Sequence, residues 1–135
     1  MSIPHHYIVV DDDSLNNLVC KHVILRFDKE AQIMLFADSE LALKFLAEQF
    51  IHQTENGGSI LFLDINMPII NGWEFLKAFE GLEEKIHKQI RIYLLSSSID
   101  PSDIEKAHEN PFVKGYYPKP LSVQTLDAIR NETMS

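Results

Sequence analysis

Four candidate strands in this chain end on side chains that can do chemistry. Tyr7-Ile8-Val9-Val10 stops at Asp11-Asp12-Asp13, Ile60-Leu61-Phe62-Leu63 delivers Asp64, Ile90 to Leu95 runs into Ser96-Ser97-Ser98, and Val113 to Tyr117 is followed by Pro118-Lys119-Pro120. Continuous apolar, β-branched runs read as strands buried inside a parallel sheet. Open α/β sheets bind ligands beyond the carboxyl ends of such strands, so the residues just past each run become the candidate site. In a sheet of order 2-1-3-4-5 the first and third strands are neighbours, and their carboxylates converge. Two unit charges about 4 Å apart repel by about 4 kcal/mol at an effective dielectric near 20, so a group of three needs a cation. Oxygen ligands with no Cys or His in the set suit Mg²⁺ or Mn²⁺ better than zinc. Lys119 supplies a fixed positive charge from the other side. This pocket matches a phosphoryl group carried on Asp64 as nucleophile, with the metal and Lys119 neutralising its oxygens and the Ser96 hydroxyl donating a hydrogen bond.

The elements that must hold these residues follow from periodicity. After the first strand, Leu15, Leu18, Val19, Val23 and Phe27 recur at helical spacing, with Asn16, Asn17, Lys21 and Arg26 on the other side. Gln32 to Phe36 reads as a second strand, and Asp38 or Ser39 as the cap of a helix carrying Leu41, Phe45, Leu46 and Phe50 inward. Thr54 to Ser59 is a loop by composition. Phe75, Leu76, Phe79 and Leu82 mark a third helix. Asp100 and Pro101 start a short fourth one that Asn110-Pro111 ends, and Val123, Leu126 and Ile129 mark the inner face of a last one. Five strand-then-helix repeats predict an α/β fold: a doubly wound five-stranded parallel sheet of flavodoxin type, strand order 2-1-3-4-5, helices on both faces. A dinucleotide fold would need a Gly-rich turn after the first strand, where three aspartates would instead repel a pyrophosphate.

Composition narrows the function classes. The 135 residues fit a single domain, residues 1–135 with a core of about 6–131, and no output domain is expected. The formal charge of −8 argues against a nucleic-acid partner, which would need a basic stripe. The single cysteine, Cys20, excludes an internal disulfide and fits a reducing compartment. No signal-peptide pattern and no apolar run of membrane-spanning length occurs, so a cytoplasmic protein with no membrane partner is expected. The histidines, His52 and His87 among them, show no ligand spacing and read as surface residues, and Trp73 and Phe75 as helix packing.

Taken together, Val9-Val10-Asp11-Asp12, Leu63-Asp64-Ile65-Asn66-Met67-Pro68 with Gly72, Leu95-Ser96-Ser97 and Gly115-Tyr116-Tyr117-Pro118-Lys119-Pro120 resemble the receiver domains of bacterial two-component response regulators. The resemblance covers nearly the whole chain. It implies that Asp64 is the phosphoacceptor, that Asp12 coordinates Mg²⁺ directly and Asp11 mainly through water, and that Asn66 offers its backbone carbonyl to the metal. Three consecutive aspartates allow two registers for the acidic pair; two apolar residues precede it in this family, which favours Asp11 and Asp12, with Asp13 then a helix cap. Ser96 matches the switch hydroxyl, Lys119 the lysine that pairs with the phosphoryl group, Tyr116 the aromatic switch, and the Lys119–Pro120 bond is expected to be cis. Asn66 and Ser98, two residues past the acceptor and the switch hydroxyl, are modest in size, which implies a phosphoryl lifetime not protected by bulk. The stretch from His108 to Lys114 departs from the small, Gly-containing segment common in the family.

The expected function is a stand-alone receiver that accepts a phosphoryl group from a phosphohistidine of a sensor histidine kinase or a histidine phosphotransfer protein. It would signal by binding a downstream protein or by passing the group on. It is not expected to be an enzyme beyond its own phosphorylation and hydrolysis. Two other classes compete: a small Mg²⁺-dependent phosphohydrolase, which would want an acid where Asn66 sits, and an unphosphorylated interaction module, which would not need five intact site residues.

Overall fold

The computed structural model describes residues 5–51, 58–97 and 100–134, with side chains described as far as Glu132. His52, most of the loop from Thr54, and Ser98 lie outside the described residues. In chain order the elements are β1 (His6–Val10), α1 (Ser14–Phe27), β2 (Gln32–Phe36), α2 (Ser39–Gln49), β3 (Ser59–Leu63), α3 (Gly72–Glu80), α4 (Glu84–His87), β4 (Ile90–Ser96), α5 (Pro101–Glu109), β5 (Val113–Pro118) and α6 (Val123–Met134). All pairings are parallel and the strand order is β2-β1-β3-β4-β5, the doubly wound flavodoxin-like sheet expected from the sequence.

Alternation along the strands builds two cores. Ile8, Val10, Leu61, Leu63, Ile92 and Leu94 face α2, α3, α4 and α5, whereas Tyr7, Val9, Ile60, Phe62, Tyr93 and Leu95 face α1 and α6. β3 is buried along its whole length, which explains its unbroken apolar sequence. The flanking β2 and β5 are only partly buried. Pro118 ends β5 at the sheet edge, where its missing N–H costs no ladder bond.

Four expectations need correction. The buried stripe of α1 is Asn17, Cys20 and Ile24, while Leu15 and Leu18 are 69% and 60% exposed and Val19 is exposed as well. That stripe also has helical spacing, and Asn17 enters it because its amide satisfies the carbonyl of Asp11 at 2.9 Å. In α2, Ala42 and Leu46 are buried with the capping Phe50, but Leu41 lies outside on the first turn. In α6, Leu126 and Ile129 are buried and Val123 is exposed. The structure also adds α4, a single turn before β4 that packs Ile86 into the core. His87 of that turn is half-buried rather than a free surface residue: its Nε2 lies 2.7 Å from the Phe79 carbonyl, and its ring packs against Phe79 and Phe112.

Candidate functional site

The sheet itself sets the backbone of the site, because its ladder continues one residue past the strands. Asp11 N–H donates to the Phe36 carbonyl at 2.9 Å, Asp64 N–H to the Val10 carbonyl at 3.0 Å, and Lys119 N–H to the Ser96 carbonyl at 3.0 Å. Three candidate site residues are thus pinned at their backbones by neighbouring strands. Asp13 closes the first turn as the cap of α1, accepting from Leu15 and Asn16 N–H. The Lys119–Pro120 peptide bond is cis.

Behind Asp64 the loop is held tightly. Gly72 N–H donates to the Ile65 carbonyl at 2.9 Å, and a Cβ on Gly72 would sit 2.7 Å from the Asp64 carbonyl oxygen and 2.8 Å from Ile65 Cα. Only glycine permits that approach. Asn71 and Glu74 form a reciprocal capping box that starts α3. On the other side Ser39 Oγ donates to the Ile70 carbonyl at 3.2 Å, tying α2 to this loop. Ile69, at φ 53°, is the one described non-glycine residue in left-handed backbone.

The side chains meet at the carboxyl ends. Asp11, Asp12 and Asp64 each offer an oxygen within 4.8 Å of the others. Asp11 and Asp64 are buried, whereas Asp12 faces solvent. Lys119 Nζ lies 2.6 Å from Asp11 Oδ2 and 3.5 Å from Asp64 Oδ2. Burial pushes the Asp64 carboxyl above its ordinary value of 3.8, with the negative charge of Asp11 adding to the rise and Lys119 opposing it. For Lys119 burial works to lower the pKa, but the bonds and charges of Asp11 and Asp64 outweigh it and hold the amine above 10.5. Three carboxylates facing one ammonium leave two negative charges uncompensated. That donor set, all oxygen and partly open through Asp12, fits a hard divalent cation of the Mg²⁺ type.

Ser96 is 1% exposed at the end of β4, paired with Pro118 and adjacent to Lys119. Tyr116 lies opposite Leu94 on β5, half-buried against the α2–α5 core. Asn66 donates its backbone N–H to Asp64 Oδ1 at 3.3 Å. The structure therefore brings Asp11, Asp12, Asp64 and Lys119 into one cluster, sets Ser96 and Asn66 at its rim, and leaves Tyr116 two residues back along the sheet edge. Periodicity had placed two further participants on the outer face of α1. Asn16 Nδ2 donates to Asp11 Oδ2 at 2.7 Å, and Asn17 Nδ2 to the Asp11 carbonyl. The signal in the sequence was Asn17 in register with Cys20 and Ile24, at i, i+3 and i+7.

Residues 7–130 match the family model of the response regulator receiver domain. The chain belongs to that family. A two-component response regulator from Cytophaga hutchinsonii is 29% identical, with a TM-score of 0.87 over 99% of this chain and 98% of that one. A response regulator receiver protein from Dyadobacter fermentans is 28% identical, with a TM-score of 0.85 over 96% of this chain and 97% of that one. Stress response regulator protein 1 of Debaryomyces hansenii is 26% identical over 119 residues, 88% of this chain and 45% of that protein. The receiver spans less than half the length of the curated relatives it matches. Among the described residues no helix is long and apolar enough to cross a membrane.

Proposed function

We propose that this receiver takes a phosphoryl group onto Asp64 from a phosphohistidine of a sensor histidine kinase or a histidine phosphotransfer protein, in a Mg²⁺-dependent reaction. The observation that carries the reading is the placement of a buried Asp64 between a shared ammonium and two further carboxylates. In the transfer an Asp64 carboxylate oxygen attacks phosphorus and the P–N bond breaks. The electron pair leaves with an imidazole that departs neutral, its other nitrogen keeping the proton. Lys119 stays protonated and faces the incoming anionic oxygens. A Mg²⁺ held by Asp11, Asp12, Asp64 and the Asn66 carbonyl would offset the remaining negative charge and allow an anionic donor to approach.

A hydroxyl at Ser96 and a half-buried ring at Tyr116, on adjoining strands, are the groups through which phosphorylation would bias a two-state equilibrium. The partner's helix would dock on α1, whose exposed Leu15, Leu18 and Val19 begin three residues after Asp12. The phosphohydrolase alternative lacks an acid at Asn66.

The test uses acetyl phosphate or phosphoramidate as donor. Mg²⁺-dependent labelling of the wild type and none of Asp64→Asn is the expected result; labelling that persists in the variant refutes the assignment.

A further inference from the structure

We propose that Asn16 is a positioning residue for the divalent ion: its side-chain amide fixes the Asp11 carboxylate so that Lys119 does not take it out of the cation site. The inference rests on reading Asp11, Asp12 and Asp64 as that site. Asp11 is 2% exposed, so protein groups rather than water set its orientation. Its Oδ1 accepts the Asp13 N–H at 2.9 Å, and its Oδ2 accepts both Lys119 Nζ at 2.6 Å and Asn16 Nδ2 at 2.7 Å. A carboxylate has about four acceptor positions, so these three donors leave about one for a cation or its water. Which one is left depends on where the donors stand.

Of the three, Lys119 is the charged donor and the one carried on a long stem. An ammonium on a flexible stem follows the carboxylate as readily as it holds it, and it also reaches toward Asp64 at 3.5 Å. The Asp13 N–H touches only the other oxygen. Asn16 is therefore the donor that fixes the plane of the carboxylate at the oxygen Lys119 shares. Its own geometry is fixed twice over. Its backbone N–H is held by the Asp13 cap at 3.3 Å, and Nδ2 lies 3.7 Å from Cys20 Sγ one turn further along α1. An ionised carboxylate can only accept, so the amide must present its NH₂ to Asp11. The next residue reinforces the arrangement, since Asn17 Nδ2 binds the Asp11 carbonyl.

The choice of a neutral donor matters. A second ammonium here would cancel the charge that attracts the cation, whereas an amide orients Asp11 and leaves that charge intact. Partners that orient a metal ligand without touching the metal are typically worth about 10- to 100-fold in affinity.

The experiment is a calorimetric Mg²⁺ titration of the full chain, paired with the thermal midpoint in EDTA, for the wild type and for Asn16→Ala, Asn16→Gln and Asn16→Lys. Asn16→Ala should bind Mg²⁺ about tenfold more weakly with its metal-free midpoint nearly unchanged. Asn16→Gln, which keeps the donor, should recover part of the loss, and Asn16→Lys should bind least. Two results overturn the proposal. One is unchanged affinity in Asn16→Ala. The other is a loss in Asn16→Ala that comes with a collapsed midpoint and no recovery in Asn16→Gln, the signature of a purely structural role. A wild type that binds no Mg²⁺ would instead sink the cation site itself, and the role of Asn16 with it.

Discussion

At the scale of single residues, Asp64 is held against its own charge. Burial first and Asp11 second raise its pKa, so the fold prefers the neutral acid more than an unfolded chain does. Ionising it therefore costs stability as pH rises from the ordinary 3.8 through the folded value, and the cost persists above that. Without metal, Asp64→Asn should melt at a higher temperature than the wild type near neutral pH. The gap should close as pH falls below the ordinary carboxylate range; melts in EDTA across pH check this, and a wild type as stable as the variant at neutral pH contradicts it. Gly72 makes the opposite case, a residue whose missing side chain does the positioning. Gly72→Ala drives a methyl into the backbone of Asp64 and Ile65, which cannot rotate away. We expect a loss of about 1–3 kcal/mol by denaturant unfolding, with weaker Mg²⁺ binding alongside.

At the scale of elements, each loop at the carboxyl ends has a fixed shape. The loop between β3 and α3 carries Ile69 at φ 53° with 93% of its surface exposed. A β-branched residue in left-handed backbone costs about 1–2 kcal/mol, and full exposure returns nothing from packing. Asparagine tolerates this conformation better, so Ile69→Asn should stabilise the protein by about 1 kcal/mol in the same unfolding assay. A loss of stability would mean that the side chain is used within the fold. For α1, Leu15→Glu and Leu18→Glu should stay within about 0.5 kcal/mol of the wild type, because both side chains are exposed. These variants should still be labelled by acetyl phosphate but should lose phosphoryl transfer from a protein donor. Equal loss with both donors would place the defect in the site rather than on the docking face.

How well the sequence announced these elements followed burial. β1, β3 and β4 were legible because strands covered on both faces must be largely apolar. Asp100 with Pro101 announced α5 through its cap. The rotation of α1 was not legible, because apolar residues lie on two overlapping helical stripes and the choice between them is made by Asn17 reaching Asp11. The single turn α4 begins at Glu83, which makes no side-chain cap bond, so no start signal was there to read. The left-handed Ile69 ran against residue preference, and only the closed loop from Asp64 to Gly72 accounts for it.

At the scale of the whole molecule, the parallel order collects four dispersed sequence positions at one end of the sheet. Asp11, Asp64, Ser96 and Lys119 span more than a hundred residues of chain, yet each follows or ends a strand of the same sheet. Their convergence was readable once the strand order was inferred, because ladder bonds rather than side-chain packing set their backbones. The donors from α1 were not, since they depend on how a helix is rolled on the sheet. The direct test is to trap the phosphorylated protein with borohydride, which reduces an acyl phosphate to the alcohol, and to map the altered residue by peptide mass spectrometry. Homoserine at position 64, formed only when Mg²⁺ is present, is the predicted result. Reduction at Asp11, Asp12 or Asp13, or a label at Asp64 that forms equally well in EDTA, would contradict it.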